Sequence, residues 1–174
     1  MAAEGLPPSV ADVAERAGIS RATAYRYFPS REFLVVEMAL PIDQLRAALS
    51  QAGHDDPARR IAAMIRTVAE WSYDHQLVLR EMLRVSLVQG AANPEYHRPN
   101  TRLELIAREL KPIQAQLTPA AFKKLSTALT LLLGIECIVV LQDMARVSRG
   151  EAIDTLVWMA SNLVNSASRR SGKS

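Results

Sequence analysis

One cysteine in 174 residues, Cys137, rules out a disulfide framework, and a thiol in an apolar run with no neighbouring base reads as buried and inert. Histidine is almost as scarce. His54, His75 and His97 stand far apart and pair with no cysteine or carboxylate at metal-ligand spacing. H-E-x-x-H, G-x-S-x-G, a P-loop and the Glu-x-x-His pairs of di-iron bundles are all missing. The sequence therefore asks for no metal, no cofactor and no enzymatic activity. No signal peptide or lipidation motif is read, and the most apolar run, LTLLLGIECIVVL, is too short to span a bilayer and carries Glu136 inside it. The expectation is a soluble cytoplasmic protein with no membrane partner. Glycine is scarce, with 7 residues, while alanine, leucine and arginine abound, a balance that favours helices over strands. With 49% apolar residues the chain can bury a real core. The net charge of +3 is compatible with nucleic acid and does not by itself argue for it.

What is present is concentrated between Ser9 and Phe33, in SVADVAERAGISRATAYRYFPSREF. Ser9 is an N-cap, with Asp12 near the positive end of the helix dipole. Val10, Val13, Ala14 and Ala17 form an apolar face at helical spacing, and Gly18 supplies the left-handed residue that stops the helix. Ser20 caps a second short segment, RATAYRYF, which Pro29 ends. Two short helices joined by a tight turn make a helix-turn-helix, whose second helix enters the major groove of DNA. That helix carries Arg21, Thr23, Tyr25, Arg26 and Tyr27, with Ala22 and Ala24 keeping its surface low. Small residues let a helix approach base edges, while arginine and hydroxyl groups reach guanine edges and phosphates. Arg31 follows on the first turn of the next helix, where free N–H groups favour an anion. A solvated helical turn with two half-buried tyrosines is the plainer alternative.

The whole string resembles the DNA-binding segment of the TetR (tetracycline-repressor) family of transcriptional regulators. It does so through Ala17-Gly18-Ile19-Ser20, Tyr25-Arg26-Tyr27-Phe28 and Arg31-Glu32-Phe33-Leu34. The resemblance implies that Tyr25, Tyr27 and Arg31 contact phosphates. It places Arg21, Ala22 and Thr23 nearest the bases and Phe28 in the core, and Ser20, at the start of that helix, is counted with the DNA-contacting residues. It also implies a larger helical domain that binds a small effector, a homodimer, and release from a palindromic double-stranded operator. One departure stands out: MAAEGLPPSV reads as the last turn of the family's first helix and its loop, so either Met1 is an internal methionine of a longer protein or the head is truncated there, and the chain from Met1 is expected to leave Val10, Val13, Ile19 and Phe28 partly uncovered.

Further along, Ser30 caps a long helix reaching about Gly53, which Pro41 either kinks or breaks. HDDP marks a loop, with Asp55 or Asp56 as cap and Pro57 at the first helical position. Ile61, Met64, Ile65, Val68 and Ser72 share one face of the next helix, through about His75. QLVLREMLRVSLVQG is apolar nearly all round and reads as a helix buried between neighbours. GAANPEYHRPN is a loop, followed by a helix from about Thr101 to Leu117 that Pro112 bends. Thr118-Pro119 opens what reads as one long helix to about Val147, with Thr127, Thr130, Gly134, Ile138, Leu141 and Ala145 on one stripe. Ser148 and Glu151 form a capping box for a last helix to about Ser168, whose apolar positions are Ile153, Leu156, Val157, Ala160, Val164 and Ala167.

The expected architecture is all-α. Residues 1–45 form the head, 46–168 a helical effector-binding and dimerisation domain, and 169–174 a disordered basic tail. Thr130, Gly134, Ile138, Leu141, Leu156, Ala160 and Val164 are expected at a four-helix dimer interface, burial inside one chain being the alternative. Glu136, an acid in an apolar stripe, must find a partner or neutralise. It either pairs with Arg80, Arg84 or a neighbouring helix, or lines an effector pocket with Trp71, His75, Met82 and Arg84. The functional expectation is a repressor released by its effector; a dimeric helical module without DNA binding is the rival.

Overall fold

In the computed structural model, residues 9–31, 33–34, 42–52, 56–93, 95 and 101–171 are described, and no strand occurs among them. The helices whose bounds fall among the described residues are, in order, α1 Val10–Arg16, α2 Arg21–Tyr27, α3 Ile42–Ala52, α4 Pro57–Asp74, α5 Gln76–Ala92, α6 Thr101–Gln114, α7 Pro119–Thr130, α8 Ile135–Val139 and α9 Arg149–Ser171. The opening stretch 1–8, the kink at Pro41, the cap at Asp55 and the chain end at 172–174 lie outside the described residues. Residues 1–40 with 77–99 form one compact unit, and 41–76 with 100–174 form the other.

In the first unit, Ser9 opens α1 with a full capping box. Its hydroxyl accepts from the Asp12 N–H at 3.2 Å, and the Asp12 carboxylate accepts from the Ser9 N–H at 2.9 Å. The Ser9 backbone N–H first, and then the Ser9 hydroxyl, hold the Asp12 carboxyl below its ordinary value. Gly18 takes φ +66°, and the Ile19 N–H reaches back to the Ala14 carbonyl at 3.0 Å, closing α1. Ser20 caps α2 on the Thr23 N–H at 3.1 Å. The two helices enclose a small core of Val10, Ala14, Ala24 and Leu34, with Val13 and Phe28 packed against it. Ile19 is not part of it: at 44% exposure it faces outward, because the turn after Gly18 carries it past the helix contact, and Ala17 is exposed too.

α5 departs from expectation. Leu79, Met82 and Ser86 are buried, but Leu77, Leu87 and Val88 are 83%, 65% and 60% exposed, so this helix is covered on one side only. An apolar surround does not by itself supply the neighbours needed to bury it. α5 also takes up Gly90, Ala91 and Ala92, which read as the start of a loop.

In the second unit α9 packs along α4, α3 crosses α4, and α6 lies against α4 and α7. Asp56 caps α4 through the Arg59 N–H at 3.1 Å, with Pro57 in the first turn, where its missing N–H costs nothing. Ile61, Met64, Ile65 and Ser72 line its buried face as the spacing predicts, and the Ser72 hydroxyl is satisfied by the Val68 carbonyl at 2.7 Å. α6 brings in the buried Glu109, 3% exposed. Arg60 of α4 pairs with its Oε2, and Arg108 with its Oε1 at 3.0 Å. Arg60 also donates to the Leu49 carbonyl of α3 at 3.2 Å, so one guanidinium joins three helices.

The long helix expected from Pro119 to Val147 is broken. The N–H groups of Leu131, Leu132 and Leu133 bond to carbonyls three residues back, a tightened turn that ends α7. Gly134 then adopts φ +101°, and the chain resumes as α8 and a π-helical turn, Val140–Met144, bent by 56° from α7. The Arg102 guanidinium fills the space a side chain at Gly134 would need. It donates to the Leu133 carbonyl at 2.9 Å and to Glu136 Oε2 at 3.0 Å. The Cys137 thiol donates to the Gly134 carbonyl at 3.0 Å, and burial, helped by the Glu136 charge, pushes its pKa up to about 11. No single helix among the described residues is long and apolar enough to cross a membrane. The capping box between Ser148 and Glu151 is present at 2.9 and 3.3 Å, and α9 continues through Ser171, past the residue where a tail was expected to begin.

The stripe assigned to a dimer interface is mostly used up within one chain. Ile138, Leu156, Ala160 and Val164 are all buried, and Gly134 lies against Arg102. Thr130 and Leu141 are half-buried. On α7 and α8 the break at Gly134 ends the continuous register on which the stripe was drawn, and on α9 the apolar positions are taken up by neighbouring helices of the same chain. The exposed apolar side chains of this region are instead Leu131, Val140, Met144 and Trp158.

Candidate nucleic-acid interface and a groove in the larger unit

On α2 the residues at positions 21, 22, 25 and 26 are all exposed, and their spacing puts them on one side of the helix. Ala24 points the other way into the core, and Phe28 packs beside it. The exposed side therefore carries Arg21, Ala22, Tyr25 and Arg26: two guanidinium groups and a phenol, with one small residue between them. Arg26, absent from the residues expected at the interface, shares that exposed side with Arg21 and Tyr25. Its guanidinium also lies 5.2 Å from the centre of the Tyr27 ring, holding both side chains at the end of the helix. Tyr27 is exposed and Arg31 half-buried, the latter close enough for its charge to help lower the Asp12 carboxyl.

Thr23 is placed differently from expectation. Its hydroxyl shares a hydrogen bond with the Ser20 hydroxyl at 2.8 Å while Ser20 accepts from the Thr23 N–H. Both side chains are thus engaged in the N-cap, and Thr23 is partly covered rather than aimed outward with Arg21. The first turn presents Arg21 and Ala22 on a rigid, capped helix start. Arginine there is suited to bidentate contact with a guanine edge, and a small neighbour permits the approach.

The model of the bacterial regulatory proteins of the tetR family matches residues 2–38, the stretch that contains both short helices and their turn. Residues 2–38 are a TetR-family DNA-binding segment, which supports a TetR-family regulator. No curated protein and no solved structure matches the chain. The match supports a DNA-binding regulator of transcription.

In the larger unit, a groove of about 520 Å³ opens between the end of α4 and the start of α9. Trp71 and His75 stack in its wall with ring centres 4.7 Å apart. His75 Nδ1 lies 2.8 Å from the Trp71 carbonyl oxygen, which can only accept, so Nδ1 carries the proton there. Two exposed ion pairs flank the rings: Arg66 with Asp154 at 2.9 Å and Arg149 with Asp74 at 2.7 Å. The hydrogen bond from Arg149 holds the Asp74 carboxyl below its ordinary value. Of the five residues expected to line a pocket together, the structure brings together Trp71 and His75. Glu136 is not in this groove; it pairs with Arg102, the neighbouring-helix arrangement among the alternatives. Met82 is buried on α5, and Arg84, on the same helix, is held by Glu81 through two hydrogen bonds of 2.9 and 2.6 Å. Among the described residues, no group of three His, Cys, Asp or Glu side chains converges as a metal site.

Proposed function

We propose that this protein represses transcription as a homodimer bound to a palindromic operator and is released when a small molecule occupies its larger unit. The observation that carries the reading is the exposed side of α2, where Arg21, Ala22, Tyr25 and Arg26 stand together on a capped helix inside a TetR-family segment. In this reading Arg21 discriminates bases at each half-site, while Tyr25, Tyr27 and Arg31 grip phosphates and Arg26 joins them. Two such helices related by a two-fold axis enter successive major grooves, about 34–36 Å apart. The exposed Val140, Met144 and Trp158 supply a dimer face that the buried positions of α9 cannot. The effector is assigned to the groove beside Trp71 and His75, where two ion pairs can re-partner with polar groups of a ligand. The protein acts in the cytoplasm, where its operator is.

The test is a gel shift against the intergenic DNA upstream of its own gene, with and without small molecules that neighbouring gene products handle. A shifted band abolished by one of them supports the reading. A protein that dimerises and binds the small molecule but shifts no DNA is a ligand-binding module instead.

A further inference from the structure

The outward stripe of α5 has an internal symmetry. Leu77, Glu81, Arg84 and Val88 follow at spacings of four, three and four residues, which keeps them within an arc of about 60° at 3.6 residues per turn. All four are exposed. An apolar residue closes each end, an acid and a base occupy the middle, and the pattern is symmetric about the midpoint between Met82 and Leu83 except that the two charges are opposite. Glu81 and Arg84 already pair along the helix at 2.6 Å; this lowers the Glu81 carboxyl and raises the Arg84 guanidinium from their ordinary values.

We propose that this stripe is a self-association face that pairs α5 with α5 of a second copy, antiparallel, across a two-fold axis through that midpoint. The choice of occupant rests on charge. In a parallel pair Glu81 would face Glu81 and Arg84 would face Arg84, which repels. Antiparallel pairing sets Glu81 opposite Arg84 of the second copy, twice over, and brings Leu77 onto Val88 at each end. A surface that meets its own copy in this way is what an isologous contact requires. The four- and three-residue spacings are those of a helix-pair seam, about 16 Å long here at 1.5 Å per residue. So short a seam buries less than the roughly 1,200 Å² of a stable interface, so the pairing is weak and concentration-dependent. It goes beyond the repressor reading and is separate from the dimer face at Val140, Met144 and Trp158: it doubles whatever unit that face builds.

Sedimentation equilibrium of the full chain at low salt, over a hundredfold range of concentration, tests it. The wild type is expected to rise towards twice its dilute mass. Glu81→Arg and Arg84→Glu each place like charges opposite one another and should each weaken the self-association at least about tenfold. Mixing those two variants in equal amounts restores complementary charges across the axis, so the heavier species should return, as it should in the doubly swapped E81R/R84E protein. Both sites are exposed, and unchanged melting curves confirm folding. A dilute mass of one chain would refute the separate dimer face without touching this proposal. A wild-type mass that does not rise, single reversals without effect, or a mixture that fails to recover would each overturn it.

Discussion

Removing the positive charge of Arg60 should destabilise the larger unit more than any other single exposed-to-buried charge contact in it, and the size of the loss can be worked from its surroundings. Glu109 is buried, Arg60 pairs with Oε2, and Arg108 pairs with Oε1 at 3.0 Å. In Arg60→Met the aliphatic stem still fills its space, so packing is largely kept. What is lost is the guanidinium paired with one oxygen of the Glu109 carboxylate, together with its hydrogen bond to the Leu49 carbonyl. Breaking a buried pair in this way costs about 3–5 kcal/mol. Arg108 still holds the other oxygen but is mostly exposed, so the lower end, about 3 kcal/mol, is expected. At about 2–4 °C per kcal/mol for a chain of this size, Tm should fall by about 6–12 °C. Urea denaturation gives the free energy directly. The companion Arg60→Met/Glu109→Leu leaves no buried charge and should recover most of the loss. A single variant that loses less than about 1 kcal/mol, or a double variant no more stable than the single, would refute the reasoning.

Three other outcomes follow from the same contacts. With a pKa of about 11, Cys137 should react with iodoacetamide at pH 8 roughly a hundredfold more slowly than an ordinary thiol, and mass spectrometry of timed samples would expose a faster rate. Gly134→Ala should lose about 1–3 kcal/mol, because the new methyl group needs both a strained positive φ and the space held by the Arg102 guanidinium; a neutral effect in urea melts would mean that the turn relaxes freely. Asp12 and Glu151, each in a capping box, have folded pKa values below their ordinary 3.8 and 4.5, so the unfolded chain takes up their protons first. Their contribution is present above those ordinary values and is lost as pH falls through the folded ones. Asp12→Asn and Glu151→Gln should therefore flatten the fall in urea midpoint between pH 5 and pH 3, and curves parallel to wild type would contradict this.

The head was legible because its signals are local. Ser9 with Asp12, Gly18 and Ser20 each act within a few residues, and each sits where the spacing puts it. The same holds for Asp56 with Pro57 and for Ser148 with Glu151. The long apolar run misled for the opposite reason. Whether Gly134 serves as a notch for a close helix crossing or as a stop depends on Arg102, thirty-two residues away, whose guanidinium takes the glycine's side. Glu136 stood out as a polar residue needing a partner, but no pattern in sequence pointed to that same arginine. Burial was the weakest inference. Ile138, Leu156, Ala160 and Val164 have the spacing of an interface, and a neighbouring helix of the same chain uses it just as well. Glu109 went unnoticed, since an acid beside an arginine on a helix looks like any solvated pair.

The central claim is that the exposed side of α2 reads DNA through Arg21. Selection of binding sites from random duplexes, followed by anisotropy titration of wild type, Arg21→Ala and Arg31→Ala, tests it most directly. The account predicts a palindromic site for the wild type. Arg21→Ala should lose about 1–3 kcal/mol confined to one base pair in each half-site. Arg31→Ala should weaken all sequences about equally and reduce the salt slope by about one. An Arg21→Ala protein that selects the same sequence as the wild type with the same preference at every position would contradict it.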